Sequence, residues 1–233
     1  MMNEIYWLIM MVANFALILL AFRLWGKAGM LTWCAMAVIV ANMQVTKTVM
    51  LFGIEATLGN IVYGTCFLAT DILSEFYSKK EADKAVHIGF FSLIAMTVLM
   101  QLALLFKPAS SDYGSAALNS IFSIMPRITI GSLTAYIVSN LLDIELYFMF
   151  MRKFPKQLWL RNNLSTMTAQ ALDTVMFTLI SFYGVYENDV LWHIMLSTYL
   201  LKFIVAACDT PFLYLARKMT KKGIIGDLKV EKR

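Results

Sequence analysis

Three apolar stretches of the chain carry acids and amides at helical spacing. In FLATDILSEFYSKK (67–80) they are Asp71 and Glu75, one turn apart. In NNLSTMTAQALDTVMFTLISFYG (162–184) they are Gln170 and Asp173. In YLLKFIVAACDTPFLYL (199–215) they are Lys202 and Asp209. A carboxylate takes paired N–H donors, an amide both gives and takes, and an ammonium only gives. Such groups on inward helix faces can read the edge of a polar small molecule or partner one another. On a helix, Asn60, Gly64, Phe67, Asp71 and Ser78 share one stripe, as do Thr166, Gln170, Asp173, Phe177 and Gly184. Thr198, Lys202 and Asp209 share a third. Phe67 and Phe177 lie on the first two of these stripes.

The elements that position these groups are membrane helices. The 233 residues are 60% hydrophobic and 15% charged, with a mean hydropathy of +0.68; soluble domains carry about 25% charged residues. Apolar runs long enough to cross a bilayer recur at roughly 4–22, 29–52, 58–77, 86–106, 122–150, 164–186 and 190–215. The expectation is an all-α bundle of about seven spans, with residues 1–215 as one transmembrane domain and 216–233 as a basic tail. Met1 to Glu4 is no basic leader, so no cleaved signal is expected.

The basic residues alternate between connections. Arg23 and Lys27; Lys79, Lys80 and Lys84; Arg152, Lys153, Lys156 and Arg161; and the tail, including Lys229, Lys232 and Arg233, all fall on one side. The other side carries Lys107 alone. The positive-inside rule then places the N-terminus outside and the C-terminus in the cytoplasm of an inner-membrane protein. The same distribution accounts for the net charge of +5 without nucleic acid.

Lys47, Arg127 and Lys202 remain within spans, as do Asp71, Glu75, Asp143, Glu145, Asp173 and Asp209. A charge at a helix centre costs about 2.5–3.5 kcal/mol on insertion scales, so each needs a partner or a task. Lys202 is expected to pair with Asp173 or another acid. Pro211 is expected to kink or end the last helix, with Asp209 capping the break. Arg127 and Asp143 lie 16 residues apart, about 24 Å along a helix, too far to share one small ligand. With Lys47 and Asp209 they read as gating or structural charges. Gly131, Ala135 and Ser139 make a small-residue face for close helix contact, and an interface between copies is also expected there. Asn42, in ANMQVTKT, adds an amide to the polar interior.

No G-x-x-x-x-G-K-[ST], H-E-x-x-H or G-x-S-x-G occurs. Cys34, Cys66 and Cys208 fall within apolar spans, and His87 and His193 stand alone. No metal, cofactor or partner ATPase is expected, and an enzyme is disfavoured. The remaining enzymatic alternative is a membrane-embedded acid–base pair of Asp71 and Asp173.

The runs FLATDILSEFYSKKEA, RITIGSLTAYIVSNLLDIELY, LWLRNNLSTMTAQALDTVMF and YLLKFIVAACDTPFLYL together resemble the queuosine precursor transporter family, once labelled vitamin-uptake-like. The likeness covers about 42–214, with T-D-x-x-x-E-x-Y and S-T-x-x-x-Q-x-x-D-T-x-x-F in order. Ser78 stands where the family usually has glycine, and Asn140 where glutamine is frequent. The resemblance implies import of 7-deazaguanine bases for tRNA modification: the 7-cyano or 7-aminomethyl base, or queuine. It also implies a homodimer and a fold similar to the substrate-binding subunits of energy-coupling-factor vitamin transporters. Such a base offers N1–H and its amine side by side, which one carboxylate, Asp71 or Asp173, can accept together. Its O6 would take a donor from Gln170, Asn42 or Lys202. The remaining acid, with Glu75 nearby, can meet an aminomethyl cation. A subunit for another vitamin is the alternative within transport. The coupling ion, or its absence, stays open.

Overall fold

The computed structural model describes residues 2–123, 125–184 and 187–225. In chain order the elements are α1 (Met2–Gln44), β1 (Thr48–Leu51), β2 (Ile54–Thr57), α2 (Asn60–Phe76), α3 (Lys79–Leu104), α4 (Ser115–Phe122), α5 (Met125–Lys153), α6 (Leu158–Phe182) and α7 (Asn188–Lys221). It is a helical bundle with one small antiparallel hairpin, in which Thr48 faces Thr57 and Leu51 faces Ile54.

At 43 residues, α1 would stretch about 65 Å if straight, twice the roughly 30 Å hydrocarbon layer. It does not run straight. Gly26, with φ 52° and ψ −125°, leaves the helical region, a backbone state that glycine adopts without the Cβ penalty. A Cβ on Gly29 would lie 2.3 Å from the Ala21 carbonyl oxygen, so the second arm of α1 returns against the first. Asn3 at the start of α1 accordingly donates from Nδ2 to the Met50 carbonyl, 3.1 Å away in the hairpin that follows the second arm. Counting α1 as two arms, the long rods match the seven expected spans. α1, α3, α5 from Pro126 and α7 from Leu191 are each long and apolar enough to cross a membrane.

The bundle has two chemically different ends. At one end lie the Gly26 bend, the α2–α3 and α5–α6 junctions and the end of α7. Lys27 pairs with Glu81 there at 3.3 Å, and Lys79 pairs with Glu145. This is the basic end. At the other end are the N-terminus, the hairpin and the α6–α7 junction. The Phe52 N–H donates to Glu4 Oε1 at 3.2 Å, and Arg127 donates to the carbonyls of Ile180 and Tyr183 at the close of α6. Large apolar side chains face outward along the rods, among them Leu20, Leu24, Phe91, Leu99, Trp192 and Leu196, whereas Asp71, Asn140, Asp143, Thr166 and Gln170 are fully buried. Apolar outside and polar inside is what lipid requires.

Several expectations change. The second span does not run to residue 52. α1 stops at Gln44, and the β-branched Thr48 and Val49 lead into a hairpin turned by Phe52 and Gly53, both at positive φ (52° and 80°). Lys47 is therefore exposed and outside any helix. The fifth rod starts at Met125 rather than 122, after the separate short α4. α7 continues through Pro211 to Lys221, so Arg217, Lys218 and Lys221 are helical, while Lys229, Lys232 and Arg233 lie outside the described residues. Glu145 faces solvent beside Lys79 and is not an interior acid. The small-residue face packs within the chain. A Cβ on Gly131 would meet Ser181 Oγ of α6 at 2.3 Å, and Ala135 and Ser139 are buried, so that face is occupied by α6.

Candidate functional site

A partly open cleft lies at the hairpin end of the bundle. Asn42 and Val45 at the close of α1, Asn60 and Tyr63 at the start of α2, Ser132 and Ala135 on α5, Asp173 and Phe177 on α6 and Lys202 on α7 line it. Five rods thus each contribute one or two side chains. Gly59 makes the approach tight, since a Cβ there would sit 2.4 Å from the Ala41 carbonyl oxygen.

The charged part of the lining is a buried network. Lys202 Nζ donates to Asp173 Oδ2 at 2.5 Å, the two side chains being 5% and 2% exposed. Oδ1 of the same carboxylate accepts from the hydroxyls of Tyr63 (2.5 Å) and Ser139 (3.0 Å). The ammonium also lies 5.1 Å from the centre of the Tyr63 ring, a cation–π placement. Three donors from three other helices therefore hold one carboxylate, and the pairing offsets the cost of carrying both charges in the bilayer. A carboxylate has about four acceptor positions, so Asp173 retains capacity for a donor presented from the cleft. With a cation beside it and the rings of Tyr63 and Phe177 in the walls, the site suits a flat heterocycle that has donors on one edge and an acceptor nearby.

Nearer the basic end lies a second polar layer. The Thr166 hydroxyl is 3.2 Å from Asp71 Oδ2 and 3.1 Å from Asp143 Oδ1. Asn162 Nδ2 donates to Asp209 Oδ1 at 2.8 Å. Among the described residues, no lysine or arginine forms an ion pair with Asp71, Asp143 or Asp209. Below this layer, Arg161 pairs with Glu75, which also accepts from the Tyr147 hydroxyl at 3.0 Å. A further Arg161 nitrogen donates to the Pro155 carbonyl at 2.9 Å. Together these contacts join α2, α5 and α6 across the basic end.

Of the residues singled out in the sequence, the structure gathers Asn42, Asp173, Phe177 and Lys202 around the cleft. Phe67, Asp71, Glu75 and Gln170 are not among its lining. Phe67 is fully buried and packs edge-on against Tyr63, with ring centres 5.7 Å apart. Gln170 is fully buried with no hydrogen-bond partner on either amide atom. Arg127 caps α6, and Asp143 and Asp209 belong to the lower layer. Sequence reasoning missed Tyr63, although it stands one turn before Phe67 on the stripe that carries Asp71. Arg161 was counted among loop charges, but α6 begins at Leu158 and the guanidinium is only 3% exposed. Ser139 was read for packing alone, and it also holds Asp173. Among the described residues, no three His, Cys, Asp or Glu side chains gather as metal ligands would.

A family model described as "Putative vitamin uptake transporter" matches residues 57–216. A Bacillus subtilis protein named "Probable queuosine precursor transporter" is 47% identical over 94% of this chain and 96% of its own length. A Haemophilus influenzae protein with the same name is 30% identical over 57% of this chain and 54% of its own length. No solved structure matches the chain.

Proposed function

Because the chain belongs to this vitamin uptake transporter family of multi-pass membrane proteins, we propose that it imports queuosine precursors and that the cleft at the hairpin end is where they bind. The observation that carries this reading is the Asp173 carboxylate held by Tyr63, Ser139 and Lys202 in the wall of that cleft. The cargo is a 7-deazaguanine base, either the 7-cyano or 7-aminomethyl base or queuine, destined for tRNA modification. Asp173 accepts one donor of the N1–H and amine edge, in a charge-assisted hydrogen bond. Lys202 or the Asn42 amide donates to O6, and Tyr63 and Phe177 flank the ring. Asp71, Glu75, Gln170 and Phe67 lie deeper, along the route the base takes after leaving the cleft. The near-identical length of the Bacillus subtilis relative and its printed name support the same substrate class.

The basic end faces the cytoplasm in this reading, with the hairpin and the N-terminus outside the inner membrane, following the bias of lysine and arginine. The cleft is then open to the outside, and the Glu75–Arg161–Tyr147 contacts close the cytoplasmic end. The working unit is a homodimer with no partner ATPase, and its interface is not the Gly131 face, which α6 occupies.

The test is uptake of labelled 7-deazaguanine bases by cells unable to make queuosine, comparing the native chain with Asp173→Asn at matched membrane levels. Rescue of queuosine in tRNA by the native chain and its loss in the variant is the expected result. A well-expressed native chain that takes up none of the three bases ends the proposal.

A further inference from the structure

The Thr166 hydroxyl carries one hydrogen, yet it stands within hydrogen-bond distance of two carboxyl groups, Asp71 Oδ2 at 3.2 Å and Asp143 Oδ1 at 3.1 Å. Two carboxylates cannot both be satisfied by one hydrogen. The hydroxyl can donate to one carboxylate and accept from the other only if that second group is a carboxylic acid. All three side chains are 0% exposed, and no cation among the described residues pairs with either acid. Two like charges this close in a low-dielectric interior repel strongly. An independent observation lies one turn away on the same face of α6. Gln170, also 0% exposed, finds no partner for its amide oxygen or nitrogen, and it stands between Thr166 and Asp173. A buried amide without a partner thus lies along α6 between the cleft residue Asp173 and the acid pair.

We propose that Asp71 and Asp143 share one exchangeable proton through Thr166, and that this proton moves inward with the substrate. The inference rests on the import reading above. The distances around Thr166 fit the singly protonated pair. Release of the proton toward the basic end turns the carboxylic acid into a second carboxylate, and rebinding from the hairpin end restores it; no oxidant or reductant takes part.

The charged and titratable groups facing the pair show how this step couples to opening. α2 contributes Glu75 one turn below Asp71, α5 contributes Tyr147, α6 contributes Arg161, and α7 contributes Asp209, held by Asn162. Lys27 and Glu81 from α1 and α3 pair with each other, and Lys79 of α3 pairs with Glu145. Among the first four groups Arg161 is the cation, and it pairs with Glu75, one turn below Asp71. A carboxylate at Asp71, on the same helix face as Glu75, competes for it. That competition loosens the contacts closing the basic end.

The experiment uses purified full-length protein in proteoliposomes with potassium and valinomycin fixing the membrane potential. Radiolabelled 7-cyano-7-deazaguanine is the probe. Counterflow at equal pH on both sides reads transport without any driving ion, and its absence refutes the import reading and this proposal together. With counterflow present, an outside pH one unit lower should accumulate the probe about tenfold per proton carried, and a protonophore should abolish the accumulation. Asp143→Asn should keep counterflow and lose accumulation. If that variant does not fold, Thr166→Val supplies the same comparison. Counterflow without accumulation in the pH gradient overturns the proposal while import stands. Accumulation driven by a sodium gradient at equal pH also overturns it, in favour of a metal cation.

Discussion

Removal of the negative charge at Asp173 tests both the packing and the binding sides of the site. In Asp173→Asn an amide nitrogen or oxygen replaces each carboxylate oxygen. If the nitrogen takes the Oδ2 position, it points a donor at the Lys202 ammonium, now 2.5 Å from that oxygen. If it takes the Oδ1 position, it faces the hydroxyls of Tyr63 and Ser139. Either way a lysine that is 5% exposed loses its counter-ion, and stripping one partner from a buried pair costs about 3–5 kcal/mol. Lys202→Gln alone should cost a similar amount, because it leaves the carboxylate unpaired. The double variant removes both charges, so its loss should fall short of the summed singles by about 3 kcal/mol. Unfolding of the detergent-solubilised protein measures these three values. Uptake should behave differently, for the double variant returns no carboxylate to the cleft. A lost hydrogen bond to a charged group is worth about 1.5–3 kcal/mol, or roughly tenfold to a hundredfold in affinity. The double variant should therefore be about as stable as either single variant and still impaired in uptake. Additive stabilities would refute the buried pair, and native uptake by the double variant would refute the binding role of Asp173.

The hydroxyl of Tyr63 holds Asp173 at 2.5 Å, so Tyr63→Phe should weaken substrate affinity about tenfold while keeping the aromatic wall; a competition binding assay reads this. At the basic end, Glu75→Arg and Arg161→Glu should each lower transport and stability, and the exchanged pair should recover part of both, because the two side chains face each other across α2 and α6; uptake with matched expression is the measure. At the bend of α1, Gly29→Ala places a Cβ against the backbone at Ala21, which cannot yield as a side-chain tip would. It should cost about 1–3 kcal/mol, whereas Gly114→Ala, with nothing nearer than 3.7 Å, should express normally.

The rods were legible because hydropathy and the alternation of lysine and arginine act locally along the chain. The polar stripes on α2 and α6 were legible for the same reason, since helical spacing alone puts Gln170 beside Asp173. Partners distant in sequence were not. The Glu75–Arg161 pair joins residues 86 apart, and a charge near a loop looks the same whether it is wet or buried. The hairpin escaped because its Val, Met, Leu, Phe and Ile residues continue the hydropathy of the preceding helix, and only the Phe52–Gly53 turn signals the reversal. Tyr63 escaped because carboxylates drew attention along a stripe on which an aromatic hydroxyl matters as much. Asp71 looked like a base reader from its place on a polar stripe and from the family resemblance. Its depth below the cleft depends on how α2 sits against α5 and α6, which helical periodicity does not encode.

The return of α1 on itself at Gly26 has a consequence for biosynthesis. Its two arms meet through their own backbone at Ala21 and Gly29 beside the turn, and farther along Asn14 of one arm and Trp33 of the other both donate to the Thr65 hydroxyl of α2. α1 can enter the bilayer as one helical hairpin with Arg23 and Lys27 flanking its turn at Gly26, a charge bias of the kind that orients membrane helices. Every later rod then inserts beside a pair whose orientation is already set. A chain truncated soon after α1 should still be integrated and protected from protease on both arms.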